Sequence, residues 1–219
     1  MFVAIVPVYN EEKRITEVIK SLKLYVDSVV VVDDKSVDNT IGEAEKSGVI
    51  VLKHKINLGQ GAALETGQKY AREIGADYVL HFDGDGQFCV EDIAPALANL
   101  KQNKADILFG SRFLDNRTNL PFFKKHVLLP LGRFVNKLFD VVDLHDSQNG
   151  FRILNKKALD KIRITQNRMA HATEIMGLTK ENNLKFVEFP VKVIYHEYGQ
   201  GFSSGFKIVK DLLLGKFLK

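Results

Sequence analysis

The sequence predicts an α/β fold, a mostly parallel sheet flanked by helices on both faces. Three observations carry that reading. Short apolar runs of strand length recur through the first half of the chain, as strands buried on both faces require. Stretches with apolar residues at helical spacing separate them on short links, the order of β-α-β units. The runs also end in polar or acidic residues, and open α/β sheets bind ligands outside the carboxyl ends of their strands.

In chain order, Phe2 to Val6 is a continuous apolar run that Pro7 ends, with Val8 to Glu12 as its loop. Ile15, Val18, Ile19 and Leu22 form one face of a helix. Ser28 to Asp34 holds four consecutive valines and closes on Asp33 and Asp34. Asp38-Asn39-Thr40 is a helix-start signal and Gly48 a stop. Val49 to Leu52 reads as a third strand, and Gly59-Gln60-Gly61 opens a helix that Gly75 closes. Tyr78 to Phe82 is a fourth strand, running into Asp83-Gly84-Asp85-Gly86-Gln87. A helix over Val90 to Asn103 and a strand over Ile107 to Gly110 complete the regular part. Tyr9/Glu11, Asp33/Asp34, Asp83/Asp85 and Ser111/Arg112 thus converge on one edge of the sheet.

Beyond Arg112 the pattern changes. Residues 121–139 are apolar and basic together, and His145 to Arg152 is a dense polar cluster leading into strand-like Ile153-Leu154. A helix carries His171 and Glu174, a strand lies near Phe186 to Tyr195, and Phe206, Val209, Leu213 and Phe217 form one face of a terminal amphipathic helix. We expect a single domain over 1–219, its regular part over residues 1–115 and the rest over 116–219.

At 45% hydrophobic and 26% charged residues, the composition is that of a globular protein rather than a disordered one. The single cysteine, Cys89, excludes an internal disulfide, fits a cytoplasmic setting and reads as a small buried residue. The chain opens directly on a strand, so we expect no signal peptide. No apolar run approaches the roughly 20 residues that span a bilayer. A net charge of +4 suits anionic ligands or an anionic membrane surface. The positive charge is not clustered with aromatic platforms, which argues against nucleic-acid binding.

Two carboxylates one residue apart at the end of a buried strand make an oxygen-rich pocket. Mg²⁺ or Mn²⁺ carrying phosphate suits such a pocket. An acidic β-turn is the simpler reading of Asp83 and Asp85 in isolation. Their surroundings decide otherwise. Val6-Pro7-Val8-Tyr9-Asn10-Glu11, then Val32-Asp33-Asp34 with Ser36, Asp38 and Thr40, then Asn57-Leu58-Gly59 with Gly61-Ala62-Ala63, resemble family 2 glycosyltransferases of the GT-A (Rossmann-like) fold. Asp83-Gly84-Asp85-Gly86-Gln87, Gly110-Ser111-Arg112 and Asp146 to Arg152 continue the likeness, which is specific over about the first 155 residues. The dolichol-phosphate-mannose synthase group and its bacterial relatives look closest.

The resemblance implies roles. Pro7, Tyr9 and Glu11 would line the nucleoside pocket, and Asp34, more than Asp33, would bond base or ribose. Asp83 and Asp85 would place the cation on the diphosphate of an NDP-sugar (UDP- or GDP-linked), with Gln87 close by, and Arg112 would grip phosphate. Asp85, Asp146, Arg152 and Glu174 are the catalytic candidates. Such enzymes invert the anomeric centre, and a sugar-hydroxyl acceptor needs a carboxylate base, for which Glu174 and Asp146 are the candidates. A polyprenyl phosphate acceptor, being ionised, needs none. Three departures bear on the acceptor: Gln60 stands where the lipid-phosphate synthases place Lys, their Arg-x-x-x-Ser is not evident, and their late Gly-x-Ser-Lys survives only as Tyr198 to Ser204. The acceptor is therefore either polyprenyl phosphate or a cell-envelope glycan. Residues 121–139 and 206–219 would either touch the inner face of a membrane peripherally or cover the open side of the sheet.

Other classes fit less well. A dinucleotide-binding oxidoreductase needs its glycine loop after the first strand, whereas Gly59-Gln60-Gly61 follows the third. A sugar nucleotidyltransferase lacks its basic, glycine-rich opening loop here. A non-catalytic nucleotide-sugar module remains the alternative from another class.

Overall fold

Burial sets the strand pattern. β1 (Phe2–Val8) is buried at every position, because helices cover both faces of the sheet there. α1 (Ile15–Leu22) buries the stripe its spacing predicts, Ile15, Val18, Ile19 and Leu22. β2 (Ser28–Asp33), α2 (Thr40–Lys46), β3 (Ile50–Lys53), α3 (Gln60–Glu73) and β4 (Tyr78–His81) follow in the expected order. A 3₁₀ turn at Val90–Asp92 precedes α4 (Ile93–Gln102), so that helix starts later than the sequence suggests. β5 (Ile107–Ser111), β6 (Arg152–Asn155), α5 (Lys156–Lys161), α6 (His171–Glu181) and β7 (Phe186–Pro190) complete the computed structural model, which describes residues 1–115, 117 and 142–194. The segments 121–139 and 206–219 singled out above lie outside the described residues.

Among the described residues the strands form one sheet in the order β3-β2-β1-β4-β6-β5-β7. β1 pairs in parallel with β2 and β4, β2 with β3, and β5 with β7. β6 is the departure from a run of parallel neighbours. It enters between β4 and β5, antiparallel to both, so that Arg152 lies across from His81 on one side and Phe109 on the other. The β4-α4-β5 crossover leaves one place open, and a strand from much further along the chain fills it. Its pairing is non-local, so no local pattern in the sequence announces it.

Alternation divides the core between the two faces. Ile5, Val32, Val79 and Leu154 pack with α3, α5 and α6 residues such as Leu64, Leu159 and Ile175. Ala4, Val31, Leu80 and Ile153 pack with α1 and α4 residues such as Ile19 and Ile93. Cys89 is half-buried rather than in the core, with its thiol donating to Glu91 Oε2 at 2.8 Å.

Candidate active site

The acids that follow β4 are held from several directions. Asp83 Oδ1 accepts from Gln60 Nε2 at 2.7 Å, which ties it to the first residue of α3. The backbone at Gly150 presses on the same carboxylate, and a Cβ there would overlap Asp83 Oδ2, so only glycine fits. Asp85 Oδ1 accepts the Gln87 amide at 3.0 Å, which shapes the turn. Burial first, and then the charge of Asp85, push the Asp83 carboxyl up to about 7, against the pull of Arg152, Gln60 and Arg112. A carboxylate pair so strained by like charge fits a divalent cation, which would relieve it. Among the described residues no three His, Cys, Asp or Glu side chains gather as a full metal cage. Mg²⁺ and Mn²⁺ do not require one, since hard cations in such sites take one or two carboxylates and complete their shell with phosphate and water.

The nucleoside side of the edge is laced from β1 to β2. The Asn10 amide donates to Ser36 Oγ at 2.9 Å, the Val37 amide to Asn10 Oδ1 at 2.9 Å and the Glu11 amide to Thr40 Oγ1 at 2.8 Å. Asp38 accepts from the Thr40 amide at 3.0 Å, which makes both residues structural at the start of α2. Pro7 lies in β1 opposite Val32, while Tyr9 stands 49% exposed at the rim with its ring available for stacking. Glu11 pairs with Arg14 at 2.9 Å, and burial pushes its carboxyl up, opposed by Arg14 and reinforced by Asp85.

The two aspartates at the end of β2 are used differently from the expectation. Asp34 Oδ1 accepts from His54 Nδ1 and the Leu58 amide, each at 2.8 Å, and Oδ2 accepts the Gly59 amide at 2.6 Å. Both oxygens thus hold the loop that leads into α3. Asp33 accepts the Ser36 amide through Oδ2, while its buried Oδ1 has no partner among the described residues. Of the pair, Asp33 rather than Asp34 has a carboxylate oxygen that no donor among the described residues occupies.

Three further sequence candidates turn out to be engaged with protein. Arg112 donates to Asp146 through Nε and Nη2, both at 2.6 Å, and through its amide at 3.0 Å, while Asn149 Nδ2 donates to the same carboxylate at 3.2 Å. The Arg112 fork is therefore committed to a carboxylate rather than offered to phosphate. Glu174 accepts from the Thr165 amide at 3.0 Å and the Gln166 amide at 2.9 Å, and also from the Thr165 hydroxyl. Its role in the fold is a clamp on residues 165–166. That loop in turn backs α3, where a Cβ on Gly61 would overlap the Gln166 carbonyl.

The structure also assembles a group that the sequence reading left scattered. Gln68, His81, Arg152 and His171 are all buried. Gln68 Nε2 and His81 Nε2 lie 3.1 Å apart, and His171 Nδ1 lies 2.7 Å from the Arg168 carbonyl. Burial first, then the Arg152 charge, push His81 well down and His171 to about 4, so both imidazoles are neutral. The sequence had marked Arg152 as a catalytic candidate and His171 on its helix, and a further signal was His81, a titratable residue within an otherwise apolar strand.

A model of glycosyl transferase family 2 matches residues 3–163, most of the chain. The chain belongs to glycosyl transferase family 2. A UDP-N-acetylglucosamine–dolichyl-phosphate N-acetylglucosaminyltransferase of Methanococcus voltae is 35% identical, covering 98% of this chain and 96% of its own. A dolichyl-phosphate beta-glucosyltransferase of Trichomonas vaginalis is 29% identical over 86% of this chain and 64% of its own. Among solved structures, glucosyl-3-phosphoglycerate synthase of Mycobacterium tuberculosis, crystallised with Mn²⁺, UDP and phosphoglyceric acid, superposes with a TM-score of 0.73 at 17% identity, covering 97% of this chain and 77% of its own. The fold is GT-A, and the protein is a glycosyltransferase.

For this family 2 glycosyltransferase the geometry makes two predictions. As a clamp, Glu174 contributes charged hydrogen bonds worth roughly 1.5–3 kcal/mol each, though shared and partly exposed here. Glu174→Gln should lower Tm by roughly 3–8 °C in thermal unfolding and leave the pH profile of transfer unchanged. Loss of the acidic limb of that profile would instead make Glu174 the base. The second concerns Asp83. Its folded carboxyl, at about 7, lies above the ordinary 3.8, so between those values the folded state binds more protons than the unfolded one. Asp83 therefore contributes stability to the metal-free protein that is lost as pH rises from about 4 to about 7, against the opposite contribution of the buried His81 and His171. In denaturant titrations across that range, Asp83→Asn should make stability rise more steeply with pH than in the wild type, and an unchanged slope would show that Asp83 is not perturbed.

Proposed function

We propose that the chain catalyses metal-dependent, inverting transfer of a sugar from a nucleoside-diphosphate sugar to a polyprenyl phosphate. The observation that carries this reading is the engagement of both candidate bases, Asp146 with Arg112 and Glu174 with the 165–166 loop. A sugar hydroxyl needs a base to become a nucleophile, whereas a phosphate monoester arrives ionised. The names of the Methanococcus and Trichomonas relatives, both dolichyl-phosphate transferases, support the same acceptor class. Uracil is the base we assign, on the name of the 35%-identical relative and the UDP held by the solved neighbour.

In this reading Tyr9, Pro7 and Asp33 receive the nucleoside, and Asp83 and Asp85 hold Mg²⁺ or Mn²⁺ against the diphosphate, beside Gln87. A cation there offsets the charge that builds on the departing nucleoside diphosphate. An acceptor phosphate oxygen attacks the anomeric carbon in line as the bond from that carbon to the diphosphate oxygen breaks, which inverts the centre. Residues 1–115 form the donor side, and residues 116–219 serve the acceptor. No helix among the described residues is long and apolar enough to cross a membrane. We assign the working place to the cytoplasmic membrane face, with peripheral contact through the amphipathic stretches 121–139 and 206–219.

The decisive experiment is calorimetric titration of UDP and GDP, each with Mn²⁺ and with chelator. Metal-dependent binding of UDP is expected, lost in Asp85→Ala. Binding of neither nucleotide would remove the reading. Transfer from UDP-sugars to polyprenyl phosphate, but not to a glycan, would separate this enzyme from both the glycan-directed and the non-catalytic alternatives. For the membrane contact, the full chain should float with vesicles containing anionic lipid, and deletion of 206–219 should lower that fraction. Undiminished flotation would return the segment to a covering role on the protein itself.

A further inference from the structure

The least expected side chain in the protein is Arg152. It sits in β6 at 1% exposure, the bulkiest of the fully buried side chains, in the inserted antiparallel strand. Its Nε and Nη1 have no hydrogen-bond partner among the described residues. A buried guanidinium is strongly destabilising unless an anion compensates it. Its surroundings narrow the choice of that anion. His81 and Phe109 lie directly across from it on the two flanking strands, and His171 of α6 bears on it from the same side of the sheet. Neither imidazole carries negative charge, and Phe109 carries none. The carboxylates that act on the guanidinium are Asp83 and Asp146, and Asp146 already accepts both arms of the Arg112 fork. Asp83 remains. It lies one alternation beyond His81 on the α3 side, and Gly150, two residues before Arg152, packs directly on its carboxylate.

We propose that Arg152 is a positioning residue for the cation site: its buried guanidinium is the fixed internal counter-charge against which the Asp83 carboxylate is set. The inference rests on the reading of Asp83 as a cation ligand and adds the reason for the inserted strand. Gln60 holds Asp83 from the helix side, the Gly150 backbone closes the space beside it, and Arg152 supplies charge from within the sheet. Arg152 touches neither donor nor acceptor in this arrangement. It acts through Asp83.

The test is a double-mutant cycle read in thermal unfolding, with chelator present and at mildly alkaline pH. Arg152→Met should lower Tm by roughly 5–10 °C when Asp83 is present and by less than half of that in the Asp83→Asn background. Equal losses in the two backgrounds would overturn the proposal. Should Arg152→Met fail to fold, Arg152→Lys in both backgrounds reads the same coupling more mildly. A second arm titrates Mn²⁺ at fixed UDP. Arg152→Lys should keep the wild-type Mn²⁺ dependence within a few-fold, while Arg152→Met weakens apparent Mn²⁺ affinity tenfold or more. A purely structural arginine would lower Tm without moving that dependence, and that outcome would also overturn the proposal. If the wild-type protein binds no nucleotide, the functional reading falls on its own, and the thermal cycle still judges the Arg152–Asp83 pair.

Discussion

The packing of Asp83 beside Asp85, mostly out of water, is the constraint on which the rest of the candidate site depends. Two like charges at the end of a buried strand repel, and burial adds to the penalty. The surrounding structure answers with a hydrogen bond from Gln60, a glycine whose missing side chain admits the carboxylate, and a guanidinium inside the sheet. They come from two distant parts of the chain, Gln60 from the start of α3 and Gly150 with Arg152 from the entry into β6. A site so assembled favours ligands that bring positive charge, and a nucleoside diphosphate with its cation meets that demand.

Hydrogen-bond accounting reassigns the carboxylates. Asp34, Asp146 and Glu174 have the residue type that ligand binding or base catalysis requires, yet each accepts several protein donors. Asp34 and Glu174 converge on one task from opposite sides. Asp34 fixes the loop entering α3, and Glu174 fixes the loop that backs the start of α3. Between them they hold Gln60 where it reaches Asp83. The start of α3 is thus braced behind the candidate cation site, which Gln60 reaches through its hydrogen bond to Asp83.

Two places show what can be read from a one-dimensional pattern. α1 buries the four residues that its spacing marks, because a helical stripe is a property of neighbours three and four apart. The convergence of polar strand ends on one edge was likewise legible, since parallel β-α-β units return each strand in the same direction. Which of Asp33 and Asp34 the protein's own donors occupy was not legible. Adjacent aspartates differ only in which way the backbone turns them, and the donors that occupy Asp34 come from Leu58 and Gly59, far along the chain.

The amino-acid sequence by itself determined the α/β class, the order of the first five strands and the family, because these depend on local periodicity and on motifs in series. Only the tertiary structure decided that β6 enters antiparallel between β4 and β5, that Arg112 closes on Asp146 and that Arg152 lies buried across from His81. These features join residues dozens of positions apart. Whether a charged side chain serves a ligand or the fold depends on the partners that surround it in space, and no spacing along the chain encodes those partners.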